Sequence, residues 1–287
     1  MTRRIFSLAF VAIVGFVLAT FAQDKKYEVE VQKDVPYATA HERQKLDLYL
    51  PKGASGLRPG VVLVHGGGWR SGDKQGYGFL GLQLAARGYV AIACNYRLAP
   101  TDTHPAQLDD VQRAVRWFRH NAKKHNVDPN RFGAHGGSAG GHLVLFLGSR
   151  DTRDKGSDEL SDYSSRVQFV VDFFGPSDFV TDPLSPNGSP IVESFIGKKR
   201  EEAPDAYRDA SPLYFITKSS APTLIIHGTE DALVPMSQSE RAEAALKKAG
   251  VAVTLMKLEG QAHGFRGEAQ EQAIKASIEF FDKHLKP

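Results

Sequence analysis

The chain has 287 residues, of which 41% are hydrophobic and 24% are charged, and its formal net charge is +3. This length and composition suit one large α/β domain with a substantial core. The charges form no basic stripe, so they give no support for nucleic-acid binding. Cys94 is the only cysteine, which excludes an internal disulfide.

Residues 1–22 are typical of a secretory signal peptide. Two arginines precede an apolar run from Ile5 to Leu18, and small residues continue to Ala22, after which we expect cleavage. The alternative is a membrane anchor, but this run of 14 residues is shorter than the ~20 that a helix needs to cross a bilayer. We therefore predict an exported protein, periplasmic or extracellular, whose domain spans 23–287 and is not inserted in the membrane after cleavage.

Short apolar runs and helical stretches alternate along the rest of the chain. Two strands with alternating polar and apolar residues, at 26–31 and 45–50, predict an antiparallel pair with one face in water. Six more strands are predicted at 61–64, 89–95, from 131, and at 167–174, 223–226 and 251–258. Helices are predicted at 79–87, 105–125, 141–147, 237–249 and 268–285. This order predicts an α/β fold with a mostly parallel sheet of eight strands and helices on both faces.

One segment, at about 175–220, interrupts this alternation. It is rich in proline, aspartate and serine, and it is too long for a plain loop. Ligands of open α/β sheets bind outside the carboxyl ends of the strands. We therefore expect this insertion to form a small lid over that edge.

Residues 136–140 read GGSAG, which matches the G-x-S-x-G nucleophile elbow of serine hydrolases. The predicted strand before it and the predicted helix after it supply the context that the motif requires. Glycines two residues on either side of the serine allow the tight turn and close helix packing. The pattern predicts Ser138 as an exposed nucleophile above the sheet, and the alternative is a glycine-rich turn with an unreactive serine.

A serine nucleophile also needs N–H donors for the oxyanion that forms. Residues 65–69 read HGGGW directly after a predicted strand, where bare glycine backbone can approach a substrate. We assign the oxyanion hole to the N–H groups of Gly67, Gly68 and Ala139, the last at a helix N-terminus. Trp69 is a candidate for lining the substrate pocket, and core packing is an equally good interpretation.

The serine needs a base, and the base needs an orienting carboxylate. Asp231 follows the strand at 223–226, so we expect its side chain at the same sheet edge as Ser138. Glu230 is its main rival, and Asp172 and Asp178 are further candidates because they lie in or after the preceding strand.

His263 is the candidate base. It lies between the last strand and the last helix, after Asp231, which matches the chain order Ser, Asp, His of enzymes with this elbow. The other histidines near motifs or at the last helix are expected to be structural or solvated: His65, His135, His142, His227 and His284.

Other chemistry finds no support in the sequence. It contains no H-E-x-x-H motif, no C-x-x-C motif and no cluster of acidic ligands, so we predict no metal site. The glycines at 66–68 lack the spacing of a dinucleotide-binding fingerprint, and there is no P-loop. We expect no cofactor.

Taken together, the motifs resemble those of α/β-hydrolases of the hormone-sensitive-lipase-like esterase group. The segments HGGGW at 65–69, GGSAGGH at 136–142, HGTED at 227–231 and HGF at 263–265 occur in the order seen there. With LDLYLP at 46–51, YRLAP at 96–100 and PAQLDD at 105–110, the chain is more closely similar to secreted bacterial esterases of the feruloyl and acetylxylan esterase kind. The resemblance covers roughly residues 37–285 and implies an α/β-hydrolase fold with Ser138, Asp231 and His263 as its catalytic residues. The larger members of that group carry a helical cap before the first strands. Here only a short stretch separates Ala22 from Pro36, so we expect residues 175–220 to cover the active site.

The expected function is hydrolysis of carboxylic esters through an acyl-enzyme, on short-chain or carbohydrate-linked acetyl or feruloyl esters. An amidase or exopeptidase on the same fold, such as an arylformamidase-like enzyme, is one alternative. A non-catalytic binding protein is another, although the intact Ser, Asp and His set argues against it. The acyl group, the alcohol and the oligomeric state stay open at this point.

Overall fold

A computed structural model describes residues 27–152, 159–181 and 184–286 of the chain. The predicted signal peptide at 1–22 lies outside the described residues, as do positions 182–183 of the predicted lid. Within the described ranges, no helix combines the length and the apolar character needed to cross a membrane.

One sheet of eight strands forms the centre of the described chain. The strands are β1 (Val29–Pro36), β2 (Lys45–Pro51), β3 (Arg58–Val64), β4 (Val90–Cys94), β5 (Val127–Gly137), β6 (Phe169–Phe173), β7 (Thr223–Gly228) and β8 (Val253–Leu258). Their spatial order is β1-β2-β4-β3-β5-β6-β7-β8. β2 pairs antiparallel with β1 and β4, whereas all neighbours from β4 to β8 are parallel. The predicted mostly parallel eight-stranded sheet is confirmed.

Helices and short turns connect these strands. The α-helices of the described residues are α1 (Gly78–Ala86), α2 (Ala106–His120), α3 (Ala139–Ser149), α4 (Ser189–Ile196), α5 (Pro204–Asp209), α6 (Met236–Lys248) and α7 (Glu268–Leu285). Short 3-10 helices lie at Lys74–Tyr77 and Pro212–Phe215.

The sheet separates two layers of the hydrophobic core. On β3, Val62 and Val64 belong to the layer that includes α2 and α3, whereas Val61 and Leu63 belong to the layer that includes α1 and α7. Successive side chains of a strand point to opposite faces, so a strand covered on both faces is apolar throughout. This explains the continuous apolar run that the sequence shows at 61–64.

The second predicted helix is shorter than expected. We predicted a helix at 105–125, but α2 ends at His120 and residues 121–126 form turns. After His120, the N–H groups of Ala122, His125 and Asn126 each have an acceptor three residues back, as in turns. The φ angle of Asn126 is 54°, in the left-handed region. The chain reverses there and enters β5 at Val127, earlier than the predicted start at 131.

The segment at 175–220 contains α4, α5 and the second 3-10 helix. It contributes Leu184, Gly188 and Ile191 to the same cavity that contains Ser138. The insertion therefore extends over the carboxyl edge of the sheet, beside the candidate nucleophile.

Candidate active site

Ser138 occupies a strained turn between β5 and α3. Its φ and ψ angles are 57° and −122°, a combination that non-glycine residues rarely adopt and that is common at functional sites. The two flanking glycines are required by space. A Cβ atom on Gly136 would lie 2.4 Å from backbone atoms of Gly140, and one on Gly140 would lie 2.1 Å from the carbonyl oxygen of Val64. The Ser138 N–H donates to the carbonyl of Phe173 at 2.8 Å, which fixes the turn against β6.

The structure brings Ser138, His263 and Asp231 into one hydrogen-bonded chain. His263 Nε2 lies 2.9 Å from Ser138 Oγ, and His263 Nδ1 lies 2.7 Å from Asp231 Oδ2. Because the carboxylate can only accept, Nδ1 carries the proton and Nε2 is left to accept from the serine hydroxyl. The Asp231 side chain is fully buried, whereas 22% of the His263 side chain is exposed. These three residues come from loops after β5, β7 and β8, all at the same edge of the sheet.

Four donors hold the Asp231 carboxylate. Oδ1 accepts from the N–H groups of Leu233 and Val234, both at 2.9 Å, and Oδ2 accepts from His263 and from His227 Nε2 at 3.1 Å. Burial on its own raises the pKa of this carboxyl group. The hydrogen bonds from the two histidines, the charge of His263 and the Val234 N–H outweigh that effect, so the pKa of Asp231 lies well below its ordinary value.

The rival carboxylates lie elsewhere. Glu230 is exposed to solvent. Asp178 accepts from the N–H groups of Val180 and Thr181 and therefore organises its own turn. Asp172 is buried behind the elbow, where its Oδ1 accepts from the N–H of Gly175 at 2.9 Å.

The N–H groups assigned to the oxyanion hole have no acceptor among the described residues. Gly67 and Gly68 have φ angles of 108° and 59°, in the left-handed region that favours glycine. Ala139 is the first residue of α3, where an N–H has no partner within the helix. Free N–H groups at a helix N-terminus favour an anion. Gly67 and Gly68 line one cavity with Ser138, and Ala139 is the next residue in the chain after that serine.

The other histidines next to the two glycine motifs are buried and pack against neighbouring groups. His65 is buried and stacks on Tyr96 with ring centroids 4.2 Å apart. His142 is buried and donates from Nε2 to the carbonyl of Ala210 at 2.7 Å. His135 is buried under the sheet edge, where burial lowers its pKa to about 3. These positions agree with the structural roles that we predicted.

Trp69 lines the cavity, but its indole is mainly a packing group. Only 2% of the residue is exposed, and the ring stacks on Phe195 with centroids 4.2 Å apart. Its Nε1–H donates to His142 Nδ1 at 3.2 Å, so its polar atom points away from any substrate. Trp69 therefore joins the lid helix α4 to the elbow helix α3 and supports the pocket from behind.

A cavity of about 530 Å³ opens at Ser138 and His263. Most of its wall is apolar and is built by the insertion, the end of β6 and the loop after Asp231: Phe174, Pro176, Leu184, Ile191, Leu233 and Val234. The insertion also restricts the glycine loop, because a Cβ on Gly68 would lie 2.8 Å from Ile191 Cγ2. An ester carbonyl next to Ser138 would therefore have an apolar chamber on one side.

Sequence reasoning missed the contact between His227 and Asp231. The chain order excluded His227 as the base, and it gave no sign that the ring would reach the carboxylate. The signal available was the spacing of four residues in HGTED, which places a histidine at the end of β7 and an aspartate on the turn after it. Within the described ranges, no group of three or more His, Cys, Asp or Glu side chains could hold a metal ion.

Comparisons with known proteins agree with this geometry. The profile of the BD-FAE family matches residues 46–246. The probable carboxylic ester hydrolase LipM of Mycobacterium tuberculosis is 33% identical over 214 residues, which are 72% of this chain and 49% of that protein. The chain thus spans about half the length of the curated relatives that it matches.

Two solved structures extend the comparison over nearly the whole chain. A truncated form of a carbohydrate esterase from gut microbiota has a TM-score of 0.80 and 31% identity, covering 93% of this chain and 99% of that one. A butyrate-bound esterase of the planctomycete Thermogutta terrifontis has a TM-score of 0.75 and 27% identity, covering 92% and 97%. The resemblance predicted from the motifs is confirmed, and the chain belongs to the BD-FAE family of α/β-hydrolases.

Proposed function

We propose that this protein is a serine carboxylic-ester hydrolase that works through an acyl-enzyme. The observation that carries the proposal is the continuous chain Ser138 Oγ, His263 and Asp231, with contacts of 2.9 and 2.7 Å, at the mouth of a cavity bordered by free backbone N–H groups. Nucleophile, base, orienting carboxylate and oxyanion donors are the parts that acyl transfer needs.

The mechanism follows from these positions. His263 Nε2 takes the hydroxyl proton as Ser138 Oγ forms a bond with the ester carbonyl carbon. The carbonyl oxygen becomes an oxyanion, which the N–H groups of Gly67, Gly68 and Ala139 stabilise. His263 then gives its proton to the leaving alcohol as the carbon–oxygen bond breaks, and water repeats the sequence to release the acid. Asp231 stays ionised throughout, keeps the proton on Nδ1 and stabilises the imidazolium.

The substrates proposed are short-chain or carbohydrate-linked acetyl or feruloyl esters. An apolar cavity of about 530 Å³ has room for an acyl group well beyond acetyl. Among the similar solved structures, one is a carbohydrate esterase and another is an esterase with butyrate bound. The N-terminal pattern at 1–22 supports action outside the cytoplasm, which we propose as the location.

The nucleophile is tested by Ser138→Ala, with Ser219→Ala as the matched control because Ser219 is exposed and does not line the cavity. The assay compares p-nitrophenyl acetate, p-nitrophenyl butyrate, methyl ferulate, acetylated xylan and matched anilides. We expect Ser138→Ala to lower kcat by about 10⁶-fold and to abolish labelling by a fluorophosphonate, whereas the control keeps both. Ester turnover that survives in Ser138→Ala would overturn the mechanism. A preference for anilides over esters would indicate an amidase instead.

A further inference from the structure

Asp231 is shared by two histidines, and the mechanism uses only one of them. His227 lies at the end of β7, is fully buried, and places Nε2 at 3.1 Å from the same Oδ2 atom that receives His263. The second ring is therefore in direct contact with the carboxylate that orients the base.

The surroundings of His227 define where its proton lies. Nε2 is also 3.0 Å from the carbonyl oxygen of Val234, which can only accept, so Nε2 carries a hydrogen that is shared between Val234 and Asp231. On the other side of the ring, Nδ1 is 2.6 Å from the hydroxyl of Ser239, on α6. The ring is thus held at both nitrogens, by Ser239 of α6 at Nδ1 and by Asp231 and Val234 at Nε2.

We infer that His227 is a positioning residue for the proposed ester hydrolysis, which holds the Asp231 carboxylate in place for His263 and withdraws part of its negative charge. The inference rests on the proposed function. It goes beyond the Ser138, His263 and Asp231 chain, because it makes the basicity of His263 depend on a residue that never meets the substrate.

The direction of the electrostatic effect follows from the groups that face the site. Asp231 accepts from His227, His263 and the N–H groups of Leu233 and Val234. The base itself contacts Ser138 Oγ, and the ring of Phe174 lies 4.7 Å away. Among the described residues, no further charged side chain forms a hydrogen bond or ion pair with Asp231 or His263. Removal of the His227 donor leaves more negative charge on Oδ2, which favours the imidazolium form of His263.

Two substitutions separate positioning from packing. His227→Gln can place an amide N–H near the position of Nε2, whereas His227→Leu fills similar space without a donor. We expect His227→Leu to lower kcat for p-nitrophenyl acetate by up to about 100-fold, with KM changed less than twofold, because a misplaced base mainly affects the chemical step. The acid limb of its pH–rate profile should move to higher pH by roughly half a unit. His227→Gln should keep most of the wild-type kcat and an acid limb close to that of wild type.

Ser239→Ala provides a test that does not depend on the folding of His227→Leu. It keeps the ring but removes the partner of Nδ1, so we expect a smaller shift of the acid limb in the same direction. The proposal is overturned if the limb stays in place in His227→Leu and Ser239→Ala, or if His227→Gln and His227→Leu are equally impaired. Wild-type protein that hydrolyses none of the esters defeats the proposed function, whereas active wild type with unaltered variants defeats only this inference.

Discussion

Two buried carboxyl groups, one in β6 and one just after the neighbouring strand β7, have opposite electrostatic environments. Asp231 follows β7 and receives four hydrogen bonds, which keep its pKa well below the ordinary value although burial acts against this. Asp172 lies in the adjacent strand β6 and receives one hydrogen bond, from the N–H of Gly175, while its Oδ2 has no partner. Burial raises the pKa of Asp172 to about 8. The number of donors, rather than depth in the protein, decides which group is ionised.

The uncharged carboxyl group, that of Asp172, packs behind the nucleophile elbow. A Cβ atom on Gly141 would lie 2.2 Å from Asp172 Oδ1, and one on Gly175 would lie 2.5 Å from the same oxygen. Asp172 is thus clamped between the first turn of α3 and the segment that leads into the insertion. The comparison separates a carboxylate suited to orienting a base from a carboxylic acid that supports the backbone around Ser138.

Among the variants that test this comparison of the two carboxyl groups, Asp231→Asn has the largest expected effect. The amide has nearly the same shape, but it can donate to His263 Nδ1, which favours the wrong tautomer for accepting the Ser138 proton. We expect kcat for p-nitrophenyl acetate to fall by about 10⁴-fold. Asp172→Asn is the matched control and should keep activity within a few-fold. If Asp172→Asn caused the greater loss, the assignment of the two carboxyl groups would be wrong.

A smaller effect is expected for Gly141→Ala. The added methyl group collides with Asp172 Oδ1 and lies 2.9 Å from the carbonyl oxygen of Phe173, so the elbow helix has to shift. Overpacking of this kind typically costs about 1–3 kcal/mol. The measurement is the free energy of unfolding in urea. Gly76→Ala, where a Cβ has no neighbour within 4 Å, is the control and should be close to neutral. Equal stability of the two variants would show that the clamp around Asp172 is loose.

A third effect, similar in size to that of Gly141→Ala, is a change in how stability depends on pH. Because the pKa of Asp172 is raised to about 8, the folded protein keeps a proton that the unfolded chain has released above pH ~4. The protonated Asp172 side chain therefore makes the free energy of unfolding fall as the pH rises, by about 1.4 kcal/mol for each pH unit between roughly 5 and 7. Asp172→Asn has no carboxyl group to titrate and therefore lacks this pH dependence. Its free energy of unfolding relative to wild type, measured in urea, should rise with pH over that range.

Asp231 provides the opposite sign in the same experiment. Its lowered pKa contributes stability that is complete above the unfolded value of ~3.9 and is lost only as the pH falls below it. Asp231→Asn cannot serve as the control for this slope, because it also removes the charge next to His227 and His263. A flat stability difference between Asp172→Asn and wild type from pH 5 to 7 would contradict the raised pKa of Asp172.

Much of the site followed from local sequence. Ser138 was identified from glycines whose spacing only a tight strand-to-helix turn requires, and Gly67 and Gly68 from a glycine run directly after a buried strand. Asp231 and His263 were placed by their position after successive strands, because parallel strands bring their carboxyl ends to one edge. The structure places these residues together, and the proposed assays test their roles.

Other features depended on contacts between distant parts of the chain. The choice between packing and substrate contact for Trp69 stayed open, because its partners Phe195 and His142 lie far from it in sequence. The contact between His227 and Asp231 was missed, because it depends on the turn after β7. Helix α2 was predicted too long, since residues 121–125 continue its polar pattern and no residue among them marks the change to turns.

Periodicity and glycine spacing express local backbone requirements. They were therefore enough to predict the α/β architecture, the elbow and the order of the candidate catalytic residues. The contacts of Asp231 with His263 and with His227 depended on the tertiary structure. Ionisation and hydrogen bonding depend on how many donors the fold brings to each oxygen. Those donors come from loops, strands and helices that meet only when the sheet is assembled.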